Sequence, residues 1–203
     1  MGLDTCTGSE RAADPITGIR PGTVFTGARG ECLEDPGDGV RVQLGCGHKP
    51  WNGWINVDCE RAARYADVVS DVKTLPFDTD SVDTMAAIHV LEHFYEWEAV
   101  DVLKEWRRVL KPGGQLIVEL PCMDKVFTYL AKCAKLGKPP LAQMSWWALW
   151  GDPRYTSVEM THKWGYSAEI LRHTLLKAGF SIISIVKARY HLPQRDMRAV
   201  AVK

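Results

Sequence analysis

The segment Val40–Gly47, with the sequence VRVQLGCG, decides the fold class of this 203-residue chain. Its first five residues alternate apolar and polar side chains, as a β-strand does, and two glycines flank Cys46 directly afterwards. Glycine lets the backbone approach a ligand closely because it carries no side chain. A tight structural turn would explain such a glycine pair equally well. Its position after a strand nevertheless favours a parallel α/β sheet that binds a ligand at its carboxyl edge.

Two acidic residues end the next two predicted strands. Trp54–Val57 is predicted as the second strand and is followed by Asp58, and the short strand Asp67–Ser70 precedes Asp71. A carboxylate at the first position can accept hydrogen bonds from both hydroxyls of a ribose. A carboxylate at the second can meet an exocyclic amine such as that of adenine. Because the carboxyl ends of parallel strands meet in one crevice, the pattern predicts an adenosine-type ligand there.

Strand and helix signals alternate through the remainder of the chain, which predicts one α/β domain over residues 40–203. The further elements are strands at Ser81–Ile88, Gln115–Leu120, Phe180–Lys187 and Arg198–Lys203, and helices at Glu96–Leu110 and after Ser167. Residues 1–39 are rich in glycine, and we expect an irregular N-terminal extension there. Residues 122–166 interrupt the alternation and are predicted to form an inserted cap.

The composition argues against several classes of protein. Lys plus Arg number 25, as do Asp plus Glu, so the chain lacks the excess positive charge that bulk nucleic acid or an acidic membrane attracts. No apolar run approaches the ~20 residues of a membrane-spanning helix. The six cysteines form no CxxC pair and indicate reduced thiols. We therefore expect a cytoplasmic protein with no membrane span.

Five motifs, taken in order, resemble those of class I S-adenosylmethionine-dependent methyltransferases, and most closely the small "methyltransferase type 11" kind. They are LGCG (44–47), GWINVD (53–58), SDVKTLPF (70–77), HVLEHF (89–94) and EWRRVLKPGGQLIVELP (105–121). The resemblance is close over residues 41–121 and loose over 162–203. It implies a Rossmann-like three-layer sandwich whose seven-stranded, mostly parallel sheet has the order 3-2-1-4-5-7-6, with strand 7 antiparallel.

The resemblance also implies a cofactor, a reaction and a set of contacts. S-adenosyl-L-methionine would donate a methyl group to an oxygen or nitrogen nucleophile of a small molecule, with sugar-containing acceptors included. Gly45, Cys46 and Gly47 would meet the methionine part, Asp58 the ribose, Asp71 and Val72 the adenine, and Ile88 and His89 would line the cleft. One departure stands out, since only His48–Gly53 separate the glycine turn from the second strand. A parallel crossover usually needs a dozen or more residues, so we expect the first helix to be reduced to a turn or loop.

Methyl transfer to a hydroxyl or a protonated amine also requires a general base. The candidates are His89, His93, Asp124 and His162, and the sequence does not rank them. The tryptophans of the insertion, at positions 146, 147 and 150, fit either a lid over the acceptor or a packed seal at a sheet edge or dimer contact.

Three alternative functions carry weaker signals. A dinucleotide dehydrogenase needs G-x-G-x-x-G, and residue 50 is proline. The stretch His89–His93 matches the zinc-protease pattern H-x-x-E-H, but that pattern needs both histidines and the glutamate on one helix. Here it begins where a strand ends, so we predict no metal, and we also set aside a Cys46, His48 and Cys59 group. A non-catalytic S-adenosylmethionine-binding protein stays open, as does a homodimer.

Overall fold

A computed structural model describes residues 39–59 and 64–203, which contain one seven-stranded sheet. The strands are β1 (Arg41–Leu44), β2 (Ile55–Asp58), β3 (Val68–Val69), β4 (Val82–Ile88), β5 (Leu110–Pro121), β6 (Ser181–Lys187) and β7 (Asp196–Val202). Their order is β3-β2-β1-β4-β5-β7-β6. Strand β7 runs antiparallel to both neighbours, and the other pairs are parallel. The predicted fold class and strand order are confirmed.

Four α-helices occur in the described residues: α1 (Glu96–Val109), α2 (Met123–Lys135), α3 (Trp146–Trp150) and α4 (Ala168–Lys177). The apolar stripe of α1 turns toward the sheet and buries Leu103 and Trp106 completely. Helix α4 begins where the sequence predicts, because the Ser167 hydroxyl accepts a hydrogen bond from the Ile170 N–H at 3.1 Å. None of the helices in the described residues is long and apolar enough to cross a membrane.

The two faces of the sheet are covered differently. Helices α1 and α4 pack on one face, where they form the main core with residues such as Met85 and Leu116. On the other face the Trp51 ring packs on Ala86 and stacks on Tyr190, with ring centroids 4.4 Å apart. Residues 45–54 contain turns and no helix. The predicted reduction of the first helix is therefore confirmed, and an aromatic stack takes its place.

Residues 122–166, the predicted inserted cap, follow β5 at the carboxyl edge of the sheet. They contain α2 and α3, which share a satellite core of Met123, Val126 and Ala148. An isolated parallel bridge between Cys122 and Tyr166 closes the two ends of the segment together. The predicted N-terminal extension lies outside the described residues except for its last residue, Gly39.

Candidate active site

Residues from five strands meet at one edge of the sheet. The parallel register pairs Leu44 with Val57 and with Ala87, so the chain segments after β1, β2 and β4 leave the sheet side by side. Strand β7 runs the opposite way, and its first residue, Asp196, pairs with Pro121, the last residue of β5. The edge thus collects the residues that follow four parallel strands and the residue that begins an antiparallel one.

The glycine turn after β1 needs both of its glycines, for different reasons. Gly45 and Gly47 have φ angles of +62° and +54°, a region that favours glycine. A Cβ atom on Gly45 would stand 2.6 Å from Cγ2 of Val90, whereas one on Gly47 would meet nothing within 4 Å. Gly45 is therefore required by packing, and Gly47 leaves open space at the crevice. That bare backbone suits a cofactor that lies directly against it.

Asp58 stands next to the glycine turn. Its Oδ2 accepts a hydrogen bond from the Gly47 N–H at 2.6 Å, and its Oδ1 accepts one from the Cys59 N–H at 2.8 Å. A carboxylate offers about four acceptor positions, so roughly two remain for the hydroxyls of a ribose. Burial, followed by the nearby Asp58 carboxylate, raises the pKa of the Cys46 thiol to about 12, so this side chain stays neutral.

Asp71 and Val72 form an ordered turn after β3. Asp71 is exposed, and its Oδ1 accepts a hydrogen bond from the Lys73 N–H at 2.8 Å. The Val72 carbonyl accepts one from Nε1 of Trp106 at 2.9 Å, which ties the turn to α1. The turn is therefore held at the edge in a fixed position, with its carboxylate toward solvent.

His89 follows β4 with a φ angle of +56°, an uncommon conformation for a residue with a side chain. Its Nδ1 lies 2.8 Å from Oε1 of Glu92, and its Nε2 lies 3.1 Å from Oδ2 of Asp196. Burial opposes the charged ring, but these two carboxylates outweigh it and raise the pKa of His89 to about 10. Both ring nitrogens are thus engaged, and His89 has no free lone pair for an acceptor's proton.

Three residues that the sequence analysis did not select belong to this network. Asp196 is fully buried, and Arg195 donates to its two carboxylate oxygens at 2.5 and 2.8 Å. The same guanidinium donates to the Gln143 carbonyl at 2.9 Å, which links β7 to the insertion. The ring of His191 lies 4.3 Å from that of His89, and burial lowers the pKa of His191 to about 3.

Glu92 is the centre of a histidine cluster on the other side of His89. The residue is 1% exposed, and burial opposes its charge, yet the adjacent His89 lowers the pKa of Glu92 to about 2. Nε2 of His162 lies 3.9 Å from Oε1 of Glu92, and the ring of His93 lies 5.0 Å from the ring of His162. The structure therefore brings His89, His93 and His162 together.

Asp124, the fourth predicted candidate, has a different environment. It lies exposed in the first turn of α2, and its Oδ2 accepts a 3.4 Å hydrogen bond from the N–H of Ala168. Ile88, predicted to line the cleft, packs with the Trp51 and Tyr190 cluster, on the face of the sheet opposite α1 and α4. Asp124 and Ile88 therefore make these contacts with residues outside the histidine cluster.

The strand order is that of the fold of class I S-adenosylmethionine-dependent methyltransferases, which use S-adenosylmethionine as their methyl donor. Residues 50–118 match the family model described as a methyltransferase domain. The chain is also 29% identical over 107 residues to a tRNA (carboxymethyluridine(34)-5-O)-methyltransferase, ALKBH8, of Mus musculus. That match takes in 45% of this chain but only 16% of the mouse protein.

Two solved structures share the fold. One is an S-adenosylmethionine-dependent methyltransferase from Thermotoga maritima, described as a possible histamine N-methyltransferase, with a TM-score of 0.57 and 19% identity over 81% of this chain and 82% of that one. The other is an S-adenosylmethionine-dependent methyltransferase from Mesorhizobium loti, with a TM-score of 0.57 and 15% identity over 84% and 94% of the two chains. At these identities the likeness concerns the fold.

Proposed function

We propose that the protein transfers the methyl group of S-adenosylmethionine to an oxygen or nitrogen nucleophile of a small molecule, with sugar-containing acceptors included. The observation that carries this proposal is the glycine turn, whose Gly47 is open on the crevice side and donates to the neighbouring Asp58 carboxylate. A turn of this kind fits a ligand with a ribose and a polar tail. The crevice lies beside the inserted segment. We expect the acceptor to bind on that segment.

The residues present fit the cofactor, and each part of it has a partner. The backbone of Gly45–Gly47 would hold the methionine portion, the free acceptor positions of Asp58 the ribose, and the turn at Asp71 and Val72 the adenine. No helix follows the glycine turn, so no helix dipole reaches the methionine carboxylate. Backbone N–H groups around Cys46–Lys49, or the exposed Lys49 side chain, would supply the positive charge there instead.

S-adenosylmethionine supplies a methyl group that is already strongly electrophilic because it is attached to a positively charged sulfur. The protein chiefly has to align the acceptor and remove its proton, and alignment alone contributes up to several kcal/mol. Among the histidines, His93 donates its Nδ1–H to the Thr161 carbonyl at 3.2 Å. In that tautomer Nε2 of His93 keeps a lone pair, which makes His93 the best of the predicted candidates for the general base.

The insertion supports an acceptor site with aromatic walls. Trp146 is 49% exposed and Trp150 is 67% exposed, and both belong to helix α3, whose Ala148 carbonyl lies 2.9 Å from Nδ1 of His162. The guanidinium of Arg154 lies over the Trp147 ring at 4.9 Å, which holds that ring in place. Tryptophans that sealed a sheet edge would be buried, so their exposure favours contact with an acceptor over that role, and a dimer contact remains the alternative.

A donor titration and an acceptor screen test the proposal. Isothermal titration calorimetry should detect binding of S-adenosylhomocysteine, and NAD should bind much more weakly. A screen with donor labelled in its methyl group should then transfer label to a small alcohol, amine or sugar. Binding without transfer to any acceptor class would favour the non-catalytic alternative, and tighter binding of NAD would favour the dehydrogenase.

A second acceptor class enters the screen because of one comparison. The mouse relative is named as a methyltransferase of a tRNA nucleoside, although this chain spans about a sixth of its length. The balanced charge of this chain is unfavourable for bulk RNA binding. Unfractionated tRNA therefore belongs in the screen, and label recovered in tRNA but in no small molecule would replace the proposed acceptor class.

A further inference from the structure

His89, Glu92 and His162 bring three potential metal-ligand atoms together beside the crevice. One nitrogen of each ring and one carboxylate oxygen all lie within 4.8 Å of one another. Oε1 of Glu92 is 2.8 Å from Nδ1 of His89 and 3.9 Å from Nε2 of His162. Two imidazoles and one carboxylate are a ligand set that zinc and related divalent ions accept.

The second nitrogen of each ring is bonded as in a metal-binding histidine. Such histidines usually donate their other N–H to a carboxylate or a backbone carbonyl, which fixes the tautomer and the ring orientation. Nε2 of His89 lies 3.1 Å from the Asp196 carboxylate, and Nδ1 of His162 lies 2.9 Å from the Ala148 carbonyl. With these two N–H groups donated, Nε2 of His162 and Nδ1 of His89 are the atoms that face an ion, and His89 would release its Nδ1 proton when the ion binds.

Glu92 supplies an independent observation. It is 1% exposed, and its Oε2 has no hydrogen-bond partner. A buried carboxylate oxygen without a partner is costly, and the charge normally requires a cation or several donors. The rings of His89 and His162 lie 2.8 and 3.9 Å from Oε1 of Glu92, and neither supplies a hydrogen bond to Oε2. A divalent cation between Glu92 and the two rings would supply the missing partner.

A second group of three in the described residues, His89, His191 and Asp196, is also compact enough for an ion. Here, however, Arg195 already donates to both carboxylate oxygens of Asp196, and its Nη2 lies 3.4 Å from Nε2 of His89. A guanidinium in that position occupies the acceptor atoms and repels a further cation. Within residues 39–59 and 64–203, no guanidinium or ammonium group forms an ion pair with Glu92, so the group around it is the better site.

We infer that His89, Glu92 and His162 bind a divalent transition-metal ion of the zinc class. This inference departs from the prediction of no metal. For this part of the chain, that prediction asked only whether His89 and His93 could bind one metal ion from the same helix. The second imidazole comes instead from His162, 70 residues further along the chain than Glu92.

The inference has a consequence that rests on the proposed function. Three protein ligands leave a tetrahedral ion one open position, where an acceptor oxygen would bind and lose its proton more easily.

The test uses the full chain, purified without a histidine tag, stripped with a chelator and titrated with Co²⁺. We expect one Co²⁺ per chain, with the visible d–d absorption of a site with nitrogen and oxygen ligands, and competition by Zn²⁺. Elemental analysis of the protein as isolated should show about one bound ion. Absence of stoichiometric binding in both measurements would overturn the inference.

Two ligand variants and one matched control locate the site. Glu92→Gln and His162→Gln should each weaken Co²⁺ binding by about 100-fold or more, because loss of a mere outer-shell partner costs about 10- to 100-fold. His173→Gln makes the same chemical change on an exposed position of α4 and should leave binding unchanged. Circular dichroism and S-adenosylhomocysteine binding check that each variant is folded. Unchanged Co²⁺ affinity in both folded ligand variants, or an equal loss in His173→Gln, would overturn the inference.

The metal and the methyl transfer can fail separately. Tight Co²⁺ binding by a protein that methylates nothing would leave the metal site standing and defeat the proposed function. Full methyl transfer by the stripped enzyme would leave the site standing and remove the ion from the reaction. If an active enzyme binds Co²⁺ weakly or non-stoichiometrically, the metal site is overturned and the proposed function stands.

Discussion

Replacement of Asp58 tests the cofactor site at its most specific point. In Asp58→Ala both acceptor oxygens disappear, and a ribose would lose hydrogen bonds to a charged group, which are worth about 1.5–3 kcal/mol. Since each 1.4 kcal/mol is about tenfold in affinity, the dissociation constant of S-adenosylhomocysteine should rise by about 10- to 150-fold. The Gly47 N–H would also lose its 2.6 Å acceptor, which loosens the turn itself. Isothermal titration calorimetry at constant salt measures the change directly.

Two further variants separate charge from hydrogen bonding. Asp58→Asn keeps the size but places an amide N–H₂ against the N–H of either Gly47 or Cys59, because both carboxylate oxygens already accept one. We expect it to weaken binding nearly as much as Asp58→Ala. Asp78→Ala removes a carboxylate from an exposed loop position and serves as the control for net charge. A dissociation constant within twofold of wild type in folded Asp58→Ala would refute the ribose role.

Three other changes have expected outcomes. Gly45→Ala should lower the free energy of unfolding by about 2–4 kcal/mol in urea titrations, because the new methyl group meets Val90 at 2.6 Å and the positive φ angle is retained. Arg198→Met should cost about 3–5 kcal/mol, since it leaves the fully buried Glu119 carboxylate without its cation. Trp146→Ala should keep donor affinity and raise the acceptor KM about tenfold, as loss of one stacking ring predicts.

Each of these changes has a matched control. Gly113→Ala also places a side chain at a positive φ angle, but in open space, so it should cost only about 1–2 kcal/mol. Arg154→Met disrupts an exposed ion pair and should leave the unfolding free energy near that of wild type. Trp97→Ala removes a tryptophan that is 73% exposed on α1 and should leave acceptor kinetics unchanged. A control variant that loses as much unfolding free energy, or changes the acceptor KM as much, as its test variant would contradict the argument for that position.

The sequence predicts which residues lie at the carboxyl edge of the sheet because these residues follow parallel strands. Gly45, Asp58 and His89 each come at the end of an alternating or apolar run, and strand ends are easily recognised. Asp196 was missed for a topological reason. Strand β7 is antiparallel, so the residue that reaches this edge is the first residue of the strand and not one that follows it.

The helices within residues 122–166 were not predicted. Helix α2 does carry apolar residues at helical spacing, at Met123, Val126, Phe127 and Leu130, so the sequence held a signal for this helix that was missed. The pairing of Glu92 with His162 was hidden, since the contact joins a turn after β4 to the far end of the insertion. Long-range contacts of this kind depend on the completed fold and leave no local pattern.

The position of β7 between β5 and β6 determines when the crevice can form during folding. Among the strands of the sheet β7 is the last to leave the ribosome, yet it occupies an interior place, and its first residue holds His89 through Asp196. Before β7 inserts, β5 has an unpaired edge and the His89 ring lacks its buried anchor. Pairings between such distant segments form slowly, because the loop must close before the contacts stabilise it. Ligand binding should therefore appear in a single late step of refolding, after most of the secondary structure has formed.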